Sequence, residues 1–402
     1  SNVYDGMGRP IRQIDANGIV TSNAYDAAGR LVATWRGGLL IESNAYNVVG
    51  WITLRRDANG LITSYTHDAV GRVLRSYMPD GLYFENVSSN TYLAQSIDRA
   101  GRITRYERDV MGRVTNQVDN ATTAIRYVYD AVGNLTDLYD QNGSHTRFLF
   151  DSEGRQSGKV YADGITNSYS YDALGRLTAK VDGKAATTSY RYDAVGNLTN
   201  IDYSADAEVS FDYDALSRMT KMVDGVGTTL YSFVGSCTKA VSVDGPFAND
   251  TVSYGYDTGQ RLVAVTSVSS VVQYSLDSLD RIIVVEGRAV PGEPVTNTYT
   301  YLANGRLPDT LTHGNGVVTV YAYDPLFRLT NLVHQSGSTN FASFAYAYNA
   351  ADLRTSVTLG DGATSPRRID YGYDPIGQLT SARGDFPGYN FDVFTSPDLS
   401  YE

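Results

Sequence analysis

The chain has 402 residues, with 44 Asp and Glu against 33 Lys and Arg, for a net charge of −11. That balance excludes nucleic acid and other polyanions as main partners, because those are held by clustered Lys and Arg, and the acidity reads as solubility. A lone cysteine, Cys237, excludes an intrachain disulfide, and no run of about 18 apolar residues offers a membrane span. The length admits two or three ordinary domains and a large buried area. Thirty-two Tyr and 38 Gly against 11 Pro predict all-β structure, since Tyr favours strands and Gly favours tight turns.

From its first residues the chain repeats itself, which is the feature to settle before any other. The unit is an aromatic, Asp, two variable residues, Gly, Arg or Asn, then an aliphatic. It opens as YDGMGRPI (4–11, with Tyr4, Asp5 and Gly8) and YDAAGRLV (25–32, with Tyr25, Asp26 and Gly29), followed by YNVVGWIT (46–53) and HDAVGRVL (67–74). It resumes as RDVMGRVT (108–115), YDAVGNLT (129–136, with Tyr129, Asp130 and Gly133) and FDSEGRQS (150–157). Then come YDALGRLT (171–178, with Tyr171, Asp172, Gly175 and Arg176), YDAVGNLT (192–199, with Tyr192, Asp193 and Gly196) and YDALSRMT (213–220, with Tyr213 and Asp214). The step is 21 residues except for one gap of 41, read as two units with one motif worn away. Beyond 220 the step loosens to between 20 and 25, through YDTGQRLV (256–263), LDSLDRII (276–283) and YLANGRLP (301–308). The series ends with YDPLFRLT (323–330, with Tyr323 and Asp324), YNAADLRT (348–355) and YDPIGQLT (373–380, with Tyr373, Asp374 and Gly377). Insertions such as GRAVPGEPVTN (287–297) read as surface loops. The predicted organisation is one repeat array over 1–380, regular over 1–220 and degenerate over 221–380, then a degenerate end over 381–402. A chain that opens at Ser1 and reaches a motif by Tyr4 reads as a piece of a longer array, with any export signal elsewhere.

Each unit predicts strand, turn, strand, turn. Asp followed three residues later by Gly signals a turn with Gly at a left-handed position. A second turn lies midway, as DANG at 15–18 and 57–60 and DQNG at 140–143, and Asn-Gly is a strong hairpin signal. Aromatics alternate just before the Asp turn, at 127/129, 169/171 and 190/192 among others. Period two puts both rings on one face, so side-by-side repeats are expected to build two columns of stacked rings. The aliphatics within the turn (Val132, Leu174, Val195, Leu216) are expected to tuck under the next repeat. The Arg at the turn exit (Arg9, Arg30, Arg72, Arg102, Arg113, Arg155, Arg176) is expected to pair with the Asp of a neighbouring repeat or to lie on a Tyr face.

This pattern resembles the YD-repeat, or RHS-repeat, family over about residues 3–380. That family includes RHS toxin shells, the B/C shell of insecticidal toxin complexes, wall-associated proteins and teneurins. The resemblance implies a spiral ribbon of antiparallel β-hairpins forming part of a hollow shell. A propeller is the main rival, since two units approach the length of a four-stranded blade. The implied function is a non-enzymatic wall, in a bacterial secreted or cell-surface protein, that encapsulates a C-terminal polymorphic toxin. Its implied partners are the rest of the same polypeptide: further repeats, a core-associated segment and the toxin. The alternative is adhesion, with cell-surface glycans held on exposed Tyr faces. No core-associated motif precedes PDLSYE (397–402), so no self-cleavage or toxin residue is carried over. With so few repeats, the arc is expected to be too short to close on itself, leaving open edges.

Candidate chemistry is sparse, and no catalytic, cofactor or metal residue is assigned. His67 occupies the aromatic slot of its repeat, while His145, His313 and His334 lie in separate repeats without metal-ligand spacing. Cys237 has no nearby base. DANG and DQNG lack the distal Glu of a calcium loop. Asp202, Asp206, Asp212 and Asp214 cluster in sequence, but Asp214 is the motif Asp and Asp212 alternates with its aromatics, so a glycosidase pair is not expected.

Overall fold

The computed structural model describes residues 1–395 except 90, 121–123, 236–237, 363–364 and 387–388. Among the described residues there are 37 strands and no helix, in one sheet. Each strand pairs antiparallel with the next in sequence, as Thr166–Tyr171 does with Leu177–Val181 and Leu177–Val181 with Thr187–Tyr192. No strand leaves the series to start a blade, so the sheet is a continuous ribbon.

Two kinds of turn form the ribbon's two edges. In the Asp turn at 172–176, the Asp172 N–H donates to Arg176 O at 2.9 Å and the Gly175 N–H donates to Asp172 O at 3.0 Å. Gly175 has φ +80, a conformation in which a Cβ would crowd the backbone. The extra residue shifts the register between Ser170 and Tyr171, a bulge repeated at each such turn from Val3/Tyr4 to Gly372/Tyr373. The return turns, such as 15–18 (Gly18 N–H to Asp15 O, 3.1 Å), line the opposite edge. In the gap of 41, the connection between the paired strands Tyr83–Ser89 and Tyr92–Ile97 falls on the Asp edge, whereas Asp98–Arg102 forms a return turn.

The ribbon laps itself. Asn17 Nδ2 donates to Asp257 Oδ2 at 3.2 Å, Arg36 Nη2 to Asp280 Oδ2 at 2.7 Å, and Arg99 Nη1 to Asp352 Oδ1 at 2.6 Å. These join the turn after the second strand to the turn after the 25th, the fourth to the 27th and the tenth to the 33rd, always 23 strands on. The sequence separation meanwhile grows from 240 to 253 residues. Added residues therefore lengthen strands, as in the 10-residue strand Thr339–Tyr348, and do not add new ones. With 37 strands at 23 per round, the ribbon makes just over one and a half rounds. The arc is thus not too short to meet itself, as the repeat count had suggested. Return turns of the first round seat Asp turns of the second, along a seam.

The wall is one sheet thick and has almost no core. Among the described residues only Ala33, Leu279 and Val357 are buried apolar side chains. The large buried area expected from chain length is absent, because a single layer has no second layer to cover it.

Candidate functional site

The repeated motif is a local network, best seen at 171–192. Asp172 Oδ1 accepts the N–H groups of Leu174 and Arg176, each at 2.9 Å, and its Oδ2 accepts Arg176 Nε at 2.7 Å. These bonds hold the Asp172 carboxyl below its ordinary value, the Arg176 N–H first, with burial opposing and the guanidinium adding to it. The same arrangement recurs at Asp5–Arg9, Asp26–Arg30 and Asp214–Arg218 in the first round and at Asp277–Arg281 and Asp324–Arg328 in the second. The carboxylate therefore belongs to its own repeat. Pairing with a neighbour's Asp side chain, one of the two arrangements expected for this Arg, appears in the second round, where Arg261 and Arg328 Nη1 reach Asp280 and Asp352 of the next repeat at 2.7 and 2.8 Å.

The guanidinium reaches onward by another route. Arg176 Nη1 donates to the backbone oxygen of Asp193 at 3.2 Å, and its Cζ lies 4.7 Å from the ring centre of Tyr192. Arg30 with Asn47 and Tyr46, Arg155 with Asp172 and Tyr171, and Arg328 with Asn349 and Tyr348 repeat the contact. Tyr192 closes the loop, its hydroxyl donating to Leu177 O at 2.9 Å. Tyr25, Tyr129, Tyr171, Tyr213, Tyr323 and Tyr373 donate in the same way to the strand before them. Burial pushes the Tyr323 hydroxyl up to about 12, in keeping with a proton committed to Pro308 O. In the column of motif tyrosines, the contact between repeats at Arg30, Arg155 and Arg176 is thus Arg on Tyr and not ring on ring. Where Asn replaces Arg, the local bond survives but the reach is gone: Asn134 and Asn197 Nδ2 donate to Asp130 and Asp193 at 2.9 and 2.8 Å.

Two substituted repeats keep the contact by other means. Trp51, in the Arg slot, packs 5.4 Å from His67, in the Tyr slot. In the gap repeat the roles reverse, with Arg108 in the Tyr slot lying 5.4 Å over Tyr92 in the Arg slot. Sequence reading passed over Tyr92 as part of a worn motif. The signal was there, an aromatic and an Arg 16 residues apart in exchanged order.

The turn aliphatics behave otherwise than expected. Val132, Leu174, Val195 and Leu216 are 85, 77, 79 and 59% exposed, so none tucks under its neighbour. In the second round the equivalent Leu279 is only 6% exposed and lines a crevice of about 540 Å³ with Arg36, Ile41 and Asn59 of the first round. What covers this position is the next lap, not the next repeat.

The remaining candidates are scattered. His145 Nε2 donates to Asp137 Oδ1 at 2.7 Å and the ring stacks on Tyr139 at 4.4 Å, while His313 and His334 share the buried Thr319 hydroxyl at 3.1 and 2.9 Å. Asp214 is held by Arg218 and Asp212 lies 3.4 Å from Lys221; Asp202 and Asp206 are exposed and not joined to them. Asp15 Oδ1 caps its own DANG turn through the Asn17 and Ile19 N–H groups. Cys237 lies outside the described residues. Among the described residues, no group of three His, Cys, Asp or Glu is placed to hold a metal, and no helix is long and apolar enough to cross a membrane.

In sequence, residues 156–288 match the family model for the teneurin YD-shell, and residues 4–37, 46–82 and 129–166 match that for the RHS repeat. No curated protein matches the chain significantly. In structure, the chain is similar to the crystal structure of TcdB2-TccC3-Cdc42, with TM-score 0.74, 14% identity, and 95% of this chain and 23% of that one covered. It is also similar to TcdB2-TccC3-TEV, with TM-score 0.58, 15% identity, and the same coverage of 95% and 23%. The chain spans about a quarter of the length of these structures, and at such identities the likeness speaks to the fold.

Proposed function

Because the chain belongs to the YD/RHS-repeat family, we propose that it is a non-enzymatic wall segment of a hollow shell, and that the shell encloses a toxic segment of the same polypeptide. The observation that carries this reading is the lap: a ribbon one strand thick returns over itself after 23 strands and joins edge to edge. That is how a single sheet makes a barrier without a core. The two solved relatives combine the same TcdB2-TccC3 pair with a different third component, Cdc42 or TEV, a pattern suited to a common wall around exchangeable contents. An extracellular or surface-bound toxin context follows from the same reading.

The adhesion alternative draws no support from the motif tyrosines. Tyr171, Tyr192 and Tyr348 spend the hydroxyl on backbone and one ring face on Arg, and these are the groups a sugar would use.

The enclosure reading is tested by extending the chain at its C-terminus with an unstructured peptide carrying a protease site. Cleavage is expected to be slower than for the same peptide on a compact, unrelated domain. Equal rates would overturn the proposal.

A further inference from the structure

The seam brings a DANG return turn beneath a second-round turn at two stations, and only one of them satisfies its own polar groups. At the first, the turn at 15–18 lies under the Asp turn at 257–261. Asp15 Oδ2 accepts Arg36 Nη2 at 3.2 Å, Asn17 Nδ2 donates to Asp257 Oδ2 at 3.2 Å, and Asn17 Oδ1 accepts the Thr258 hydroxyl at 2.7 Å. Arg261 Nε completes the set on Asp257 at 2.6 Å.

At the second station the turn at 57–60 lies under the turn at 302–307, and Gly305 stands over Asn59 as Gly259 stands over Asn17. Leu302 occupies the motif's Asp position here. The turn is also one residue longer, with the Leu302 N–H donating to Leu307 O where the Asp257 N–H donates to Arg261 O. Met78 follows Asp57 by 21 residues, where Arg36 follows Asp15. Three groups lose their partners together. Asn59 Oδ1 is buried and accepts no hydrogen bond. Asp57 Oδ1 accepts the Leu61 N–H at 2.9 Å, but among the described residues its Oδ2 has no partner. Arg306 is exposed and, among the described residues, makes no hydrogen bond or ion pair.

All three line the crevice of about 540 Å³ between the rounds, which is roomy enough for a small molecule. Its other charges cancel in place, Arg36 with Asp280 at 2.7 Å and Arg55 with Glu42 at 3.2 Å. What remains is one carboxylate and one guanidinium that do not pair with each other, a buried amide oxygen, and the aliphatic side chains of Ile41 and Leu279.

We propose that this crevice binds a free α-amino acid with an aliphatic side chain. The ligand's carboxylate lies on Arg306, its ammonium group donates to Asp57 Oδ2 and Asn59 Oδ1, and its side chain packs on Ile41 and Leu279. A ligand of single charge leaves one of the two free groups unpaired, and a neutral sugar leaves both, whereas a zwitterion answers both at once. The two edges that form the crevice are already seated on one another within this chain, so its occupancy is independent of what a shell encloses.

The test is isothermal titration calorimetry of the whole chain with L-leucine, with leucinamide, which lacks the carboxylate, and with 4-methylpentanoate, which lacks the ammonium group. Leucine is expected to bind saturably at one site, and each analogue about tenfold or more weakly, because each leaves a charged partner unmet. Arg306→Gln is expected to lower leucine affinity to the level of leucinamide and to leave leucinamide unchanged. Asp57→Asn keeps an oxygen for the Leu61 N–H and is expected to lower leucine affinity to the level of 4-methylpentanoate. An unchanged melting temperature verifies the fold of each variant. No saturable binding of leucine to the wild type would overturn the proposal. So would analogues that bind as well as leucine, or leucine affinity that survives both substitutions.

Discussion

The Asp turns of the first round and those of the second carry the same motif, yet one set is regular and the other is not. From 4 to 218 the left-handed position is Gly in most repeats, as at Gly8, Gly133 and Gly196. In the second round Gly377 keeps it, but Gln260, Asp280, Phe327 and Asp352 replace it elsewhere, all with φ between +60 and +63. A side chain there costs about 1 kcal/mol or more of backbone strain. The seam explains two of these choices. Asp280 receives Arg36 from the round below and Arg261 from its own, and Asp352 receives Arg99 and Arg328. A turn that meets only solvent needs just the motif, whereas a turn seated on another must also fit what lies beneath. Nothing in the structure explains Phe327.

The largest effect is expected from acid, which acts on what both rounds share. The carboxyls of Asp172 and Asp193 in the first round, and of Asp277 and Asp324 in the second, are held below their ordinary 3.8. A lowered folded-state value contributes stability that is complete above 3.8 and is lost as pH falls beneath it. The melting temperature should be flat from neutral to about pH 5 and drop steeply below pH 4. A chain that melts alike at pH 7 and pH 3 would remove the Asp turn as the shared stabilising element.

Next in size is the contrast between Leu279 and Leu174. Leu279→Ala should cost about 2–3 kcal/mol in denaturant unfolding, since the side chain is buried at the seam. Leu174→Ala, at an exposed position, should stay within about 0.5 kcal/mol. Similar costs at both positions would erase the distinction between seated and free turns. Gly305→Ala is a smaller test of the same seam. Its φ is not left-handed, so any cost of about 1–2 kcal/mol comes from overpacking against Asn59. That cost should vanish in an Asn59→Gly background. The smallest effect is expected within one free turn. Asp172→Ala and Arg176→Ala should each destabilise, and their effects should be close to additive in a double-mutant cycle because the pair is partly solvated.

Much of the architecture was legible in the residues. The period of 21, the Asp-to-Gly spacing and the alternating aromatics specify bulged hairpins, because each of these is a local matter of φ, hydrogen-bond reach and side-chain alternation. The motif's internal bonds, such as Asp172 to Arg176, span four residues and needed no knowledge of the rest of the chain. The partner of Arg176 in the next repeat was harder to read. A Tyr sixteen residues on and a backbone oxygen seventeen residues on become neighbours only once the strands are in register.

The lap was beyond reach from sequence alone. Whether strand 25 returns over strand 2 depends on the small twist and curvature that each pair of strands adds, summed over 23 strands. No residue encodes that sum by itself. The sequence by itself determined a ribbon of hairpins with an Asp edge and a return edge. Only the tertiary structure decided which Asp turns would be seated, and so why Leu279 is buried while Leu174, in the same slot of the same motif, is open to solvent.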